Sequence, residues 1–318
     1  MGDVMAFGSR KYSNQNTKLG RFLARNGGNL AGGLKREAFG KLYKKPGLRR
    51  ILSRFTTARE PQKWIFLVGC YNSGTTLLRD ILNEHPDISA LPFEGMRLTD
   101  AFEDLEASDW PRMMYRNKDR WDLPDQGAEA IVAQAKREWA PFWESGATAF
   151  LEKSIDHTTR IMWLNRHFGN VYFIGITRHG LAVSEGIMRR SRPQGAAIPE
   201  IGETYPKEMV AAQWSEFSRR LHTDLDAVSH SHKLRYEDLM ETPRETLEAI
   251  FGFLDMSVPK IEIEGEMVQV NGRKFHFSNQ NDASISRLSD ADRTVLETAM
   301  SDELKRNGYV GEGVSDDR

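Results

Sequence analysis

The sequence predicts an α/β fold in three layers, a central and mainly parallel sheet with helices on both faces. Three observations carry this. Short apolar runs suited to buried strands recur at 65–68, 147–151 and 171–177. Each is followed by residues in which apolar positions return at helical spacing, and strands alternating with helices imply a parallel sheet covered on both sides. A glycine-bounded turn, Gly69 to Gly74, joins the first strand to the first of these helices.

In chain order, a strand at 64–69 leads into a helix at 74–84, where Leu77, Leu78, Ile81 and Leu82 share one face. A short extended piece is expected near 88–91, followed by a polar region that contains tryptophans. Residues 124–142 carry a helical pattern, and 147–151 reads as a strand running into Glu152-Lys153-Ser154. A helix near 157–168 feeds a strand at 171–177, and a helix near 180–190 leaves it. A long helix is expected within 206–229, a strand near 232–236, a helix at 243–254 and a last helix at about 289–306. Ligands of such sheets sit beyond the carboxyl ends of the strands. The turns after 69 and 177 are therefore the places to look for a site.

The 318 residues include seven Trp and sixteen Phe, with 39% hydrophobic residues, enough for a sizeable core. Cys70 is the only cysteine, which excludes an intrachain disulfide and a cysteine-based zinc site. The net charge of −1 conceals an asymmetry: residues 1–63 hold 15 Lys/Arg against 3 Asp/Glu, a net of +12, which leaves −13 for the rest. The organisation read from this is a basic N-terminal extension at 1–60, an α/β domain at 61–310 and a tail at 311–318. Residues 34–55 mix basic and apolar side chains; they suit either an arm packed on the domain or a peripheral contact with an anionic membrane. No stretch approaches the roughly 20 apolar residues of a membrane span, and no signal-peptide core is present. The expectation is a cytoplasmic protein, with peripheral contact with a membrane as the alternative for its basic segment, and no nucleic-acid partner.

Gly69-x4-Gly74 has the spacing of a nucleotide P-loop, but Thr75 stands where such loops place the lysine that reaches the outer phosphates. Backbone N–H groups and the helix end can still cradle an anion, with Ser73, Thr75 and Thr76 as hydroxyl donors. A donor with one 5′-phosphate and no Mg²⁺-bound triphosphate fits this loop. The segment Ser73-Gly74-Thr75-Thr76, followed by Leu77-Leu78 and His85-Pro86, resembles the sulfotransferases that use 3′-phosphoadenosine 5′-phosphosulfate (PAPS), particularly the bacterial and Golgi branch that includes the protein-tyrosine enzymes. The run 171–190, the Tyr236-Glu237-Asp238-Leu239 segment and Gly308-Tyr309 extend the resemblance to about 63–309. It implies a P-loop-like fold, PAPS as co-substrate with its 3′,5′-bisphosphate (PAP) as product, and no metal.

The resemblance also distributes roles. Asn72, Ser73, Gly74, Thr75 and Thr76 would hold the 5′-phosphosulfate, Arg178 and Arg190 the 3′-phosphate, and Tyr236 would lie near the adenosine. Arg273 and Lys274 resemble a basic loop that closes over the donor. Two positions depart from the family pattern: Asn72 replaces the usual Lys or Arg, and Gly186 replaces a serine. Lys153 is the candidate for the missing cation and Glu94 for the general base, with His157 as an alternative base. Trp110, Trp121, Trp139 and Trp143 are candidates for an acceptor wall. The acceptor, whether glycan, lipid, peptide or small molecule, is not encoded in a motif. The competing readings are a P-loop kinase or NTPase, which the absent lysine disfavours, and a PAPS-binding protein whose catalysis is impaired through Asn72 and Gly186.

Overall fold

The computed structural model describes residues 43, 46–106, 109–259, 263–264, 267–270 and 273–309. Helix α1 (Pro46–Ser53) precedes β1 (Lys63–Gly69), α2 (Thr75–Leu82) and β2 (Ile88–Ala90). Helix α3 (Ala128–Trp139) leads to β3 (Ala149–Glu152), and α4 (Ile161–His167) to β4 (Val171–Thr177). Then come α5 (Gly180–Arg190), the short α6 (Ala197–Ile201), the long α7 (Lys207–Asp226) and β5 (Ser231–Arg235). Helices α8 (Tyr236–Glu241) and α9 (Pro243–Phe253) follow. Three short strands, β6 (Ile263–Glu264), β7 (Met267–Val270) and β8 (Arg273–His276), precede α10 (Asn281–Ile285), α11 (Asp290–Ala299) and α12 (Ser301–Arg306).

The main sheet is parallel, in the order β2-β3-β1-β4-β5. Strand β1 is central, and alternation along it separates the two cores. Ile65 and Leu67 pack with Leu78, Ile81 and Leu82 of α2 and with Leu247 and Ile250 of α9. Trp64, Phe66 and Val68 face the opposite layer, which holds Trp139, Leu164, Leu221 and Leu225. Helix α7 can lie this close because a Cβ on Gly175 of β4 would stand 2.3 Å from Leu225 Cδ1. The chain passes from β1 outward to β2, returns through β3 and crosses to β4. The switch point therefore falls at the carboxyl ends of β1, β3 and β4, where a crevice opens.

Several elements differ from the sequence expectation. The last helix is interrupted at Met300, which turns to φ −118° and buries its side chain, so α11 and α12 replace one continuous helix. The strand expected to reach Tyr236 ends at Arg235, and Tyr236 opens the unanticipated α8. The second sheet, antiparallel in the order β6-β7-β8, was not expected at all. For residues 34–55, the first of the two readings holds where they are described, since Tyr43 is fully buried in the core and the Arg49 guanidinium of α1 pairs with Asp100. That pairing removes Arg49 from any membrane-facing surface, whereas Ile51 and Phe55 are 55% and 87% exposed. The remainder of 34–55 up to Lys45, Tyr43 excepted, and the tail after residue 309 lie outside the described residues. No helix among those described is long and apolar enough to cross a membrane.

Candidate active site

The loop after β1 is shaped by two residues with left-handed backbone, Asn72 (φ 60°) and Gly74 (φ 91°). Such a reversal turns successive N–H groups toward one point. Its entry is fixed by Thr158, whose hydroxyl accepts from Gly69 N at 2.9 Å and donates to Gly69 O at 3.0 Å. Gly69 admits no side chain, since a Cβ there would meet Ile176 O at 2.5 Å. Helix α2 starts on Gly74 without a side-chain cap, which leaves its first-turn N–H groups available for an anion. Ser73 is fully buried and its hydroxyl has no partner; Thr75 is buried and Thr76 exposed.

Arg178 follows β4 directly and is held on three sides. Its Nε donates to Asn281 Oδ1 at 2.9 Å, its Nη1 donates to Asn72 O at 2.8 Å, and its guanidinium lies 4.2 Å from the Tyr236 ring centre. Nη2 is buried and unpartnered. Tyr236 also packs against the loop, 3.0 Å from where a Gly74 Cβ would be. The next residue braces this arrangement: Glu237 Oε1 accepts from Asn281 Nδ2 and His179 N, and Oε2 accepts from the Tyr309 hydroxyl. The Tyr236-Glu237 pair and the C-terminal Tyr309 thus serve one purpose, which is to fix Arg178.

Sequence reasoning missed Arg112. Its Nη1 donates to Asn72 Oδ1 at 3.0 Å, and Arg190 Nη1 donates to the same oxygen at 2.8 Å. Arg112, Arg178 and Arg190 therefore converge on Asn72, and none of the three guanidinium groups has a carboxylate partner among the described residues. Arg112 carries no local signature, since it lies in an irregular segment 40 residues along the chain from Asn72. Its neighbours Met113 and Met114 do mark it: both are buried with Tyr71 and Phe217, each such side chain contributing about 1.5–3 kcal/mol.

Strand β3 positions the other half of the site by alternation. Glu152 Oε1 accepts from Gly95 N at 2.7 Å and Ser154 Oγ accepts from Met96 N at 3.1 Å, which pins the backbone just after Glu94. Between them Lys153, 6% exposed, reaches Glu94 Oε1 at 2.8 Å. Arg97 Nε lies 3.3 Å from the other carboxylate oxygen. The pair expected to supply cation and base thus stands in contact, beside a cavity of about 500 Å³ lined by Glu94, Met96, Arg97, Phe102 and Asp156 among others. Burial pushes Asp156 up to about 6 against the lowering effect of Arg160.

Three expectations change, and a fourth falls outside the described residues. His157 is fully buried among Phe66, Phe102 and Trp139, which puts its ring out of reach of an acceptor. Trp121, Trp139 and Trp143 are core residues, and Trp110 is covered by the Arg116 guanidinium at 3.6 Å, so these indoles do not form an acceptor wall. Lys274 is exposed on β8 and takes no part in the hydrogen bonds around Asn72. The side chain of Arg273 and residues 271–272 lie outside the described set.

His157 has a structural partner in Glu152, whose Oε2 lies 3.4 Å from Nε2. Burial pushes the Glu152 carboxyl up to about 8, offset in part by hydrogen bonds from Ser154 and Gly95. Burial, with Arg160 second, holds the His157 ring well below its ordinary 6.5. From 4.5 to about 8 the native chain keeps a Glu152 proton that the unfolded chain has released, so this group's contribution to stability declines as pH rises. For His157 the sign is reversed: below 6.5 the unfolded chain takes up a proton that the native ring refuses. The two slopes oppose each other between 4.5 and 6.5, and above that only the Glu152 slope remains. Urea melts should therefore show this group costing roughly 2 kcal/mol between pH 6.5 and 8, at about 1.4 kcal/mol per unit. Glu152→Gln should remove that slope; an unchanged slope in the variant would assign it to other groups.

A glycine-bounded loop at the switch point of a parallel sheet, with arginines at its rim and a Lys–Glu ion pair beside it, is the arrangement expected of a transferase that takes a phosphorylated donor. Residues 64–260 match the Sulfotransferase family, and the chain belongs to that family. It is 25% identical over 227 residues to a candidate protein-tyrosine sulfotransferase of Caenorhabditis briggsae, covering 68% of this chain and 76% of the relative. Sulfotransferase STF1 from Mycobacterium tuberculosis H37Rv shares the fold with a TM-score of 0.51 at 12% identity, over 89% of this chain and 91% of that one. Mouse sulfotransferase SULT7A1, solved with PAP, aligns with a TM-score of 0.40 at 12% identity, over 84% and 91%.

Proposed function

We propose that the protein transfers the sulfuryl group of PAPS to a hydroxyl, or to an amine, of an acceptor held in the cavity beside Glu94. One observation carries the donor assignment: two buried donors around the loop, Ser73 Oγ and Arg178 Nη2, have no partner among the described residues. Buried donors left unpaired are costly, and an anion with several acceptor oxygens would satisfy them. The loop from Ser73 to Thr76 would hold the 5′-phosphosulfate. Arg178, with Arg190, would grip the 3′-phosphate, and Tyr236 would flank the adenosine.

In the transfer, the bond from sulfur to the bridging oxygen breaks, a bond from sulfur to the acceptor oxygen forms, and the acceptor proton passes to Glu94. Positioning and charge stabilisation dominate such loose transfers. Lys153 contacts the proposed base Glu94 and would turn toward the oxygen that leaves with PAP. The cavity's carboxylates, among them Glu94 and Asp156, disfavour an acceptor that carries anionic groups of its own, nucleic acid included.

Calorimetry tests the donor class. PAP is expected to bind far more tightly than ATP, with or without Mg²⁺, because Thr75 cannot reach outer phosphates as a P-loop lysine does. Tighter binding of Mg²⁺·ATP would move the protein to the kinases.

A further inference from the structure

We infer that Arg112 is a donor-binding residue, delivering to the 5′-phosphosulfate end of the loop the positive charge that Asn72 cannot carry, and that Gly186 is small so that Asn72 can hold it there. The inference rests on the PAPS reading above and names a residue that no loop motif contains.

The geometry is built for this purpose from both sides. Arg112 has a left-handed backbone, φ 64°, rare for a residue with a side chain. Its N–H donates to Glu106 Oε1 at 2.6 Å, and the other oxygen of that carboxylate accepts from the Tyr71 hydroxyl at 3.1 Å. The guanidinium lies 5.5 Å from the Tyr71 ring centre and donates to Asn72. Consecutive loop residues, 71 and 72, thus grip one arginine, while buried Met113 and Met114 anchor the chain that carries it. A guanidinium has five N–H donors, and among the described residues this one donates a single hydrogen bond, to Asn72 Oδ1.

Asn72 is suited to hold it. The amide presents its oxygen to Arg112 and Arg190, and its nitrogen therefore faces the opposite way, toward α5. There a Cβ on Gly186 would stand 2.8 Å from Nδ2 and 2.9 Å from Cγ. Any side chain at 186 would displace the amide. Two like charges on one neutral oxygen repel each other, and the two phosphate groups of the donor, one beside each guanidinium, would offset that cost.

The test compares PAP with adenosine 3′-phosphate, which lacks the 5′-phosphate, by calorimetry on the whole chain. Arg112→Gln is expected to weaken PAP by about ten- to a hundredfold, as for loss of a charged hydrogen bond, and adenosine 3′-phosphate by less than about threefold. Arg112→Lys should recover part of the loss. Gly186→Ala should lower the preference for PAP by the same route, so adding it to Arg112→Gln should cost little more. Equal losses for both nucleotides, or fully additive losses in the double variant, would overturn the inference while leaving the PAPS reading intact. Wild-type protein that binds neither nucleotide would overturn both.

Discussion

Glu94→Gln is expected to lower turnover by about 10²–10⁴-fold, the range for loss of a positioned general base, while PAP affinity changes little. Glutamine keeps the shape and one oxygen for the Lys153 ammonium, so the substitution removes proton acceptance and not the contact. The fold should survive, because the loop is held by its backbone: Gly95 N on Glu152 and Met96 N on Ser154 do not involve the Glu94 side chain. Single-turnover sulfation with PAPS in excess reads the chemical step directly. A variant with wild-type turnover would remove Glu94 from proton transfer and reopen the question of the base.

Lys153→Ala is expected to cut turnover by roughly 10²–10³-fold, the cost of one preorganised donor to developing charge. The side chain is 6% exposed and holds its ammonium 2.8 Å from Glu94, so removing it also loosens the base that Arg97 alone would then hold. Two consequences distinguish these effects. Loss of charge at the leaving oxygen lowers kcat for every acceptor. Loss of Glu94 orientation falls more heavily on acceptors whose hydroxyl is less acidic, since these depend more on the base. Full activity in Lys153→Ala would leave Arg112 as the cation at the leaving oxygen, and the Arg112 variants would then carry the larger kcat loss.

Gly95 couples the buried Glu152 to the loop of the proposed base. A Cβ at that position would meet Glu152 Oε1 at 2.5 Å. The buried glutamate that sets the pH slope of stability is thus the same group that seats the loop of the proposed base.

The sequence alone determined whatever depends on neighbours along the chain. The run from Trp64 to Leu82 declares a buried strand, a glycine-bounded turn and an amphipathic helix, because strand burial, glycine geometry and helical periodicity are local properties. Arg178 was legible for the same reason: it is the first residue past an apolar strand, and a parallel sheet puts that position at its ligand edge. Lys153 and Glu94 were found singly, but not as a pair at 2.8 Å. The tertiary structure decided which side chains meet. It brought Arg112 to Asn72 across 40 positions of irregular chain, closed Phe66, Phe102 and Trp139 around His157, and gave Gly186 its reason in the amide of Asn72. Periodicity says which face of an element is buried, and it cannot say what lies on the other side of the contact; that is set by packing between elements distant in sequence.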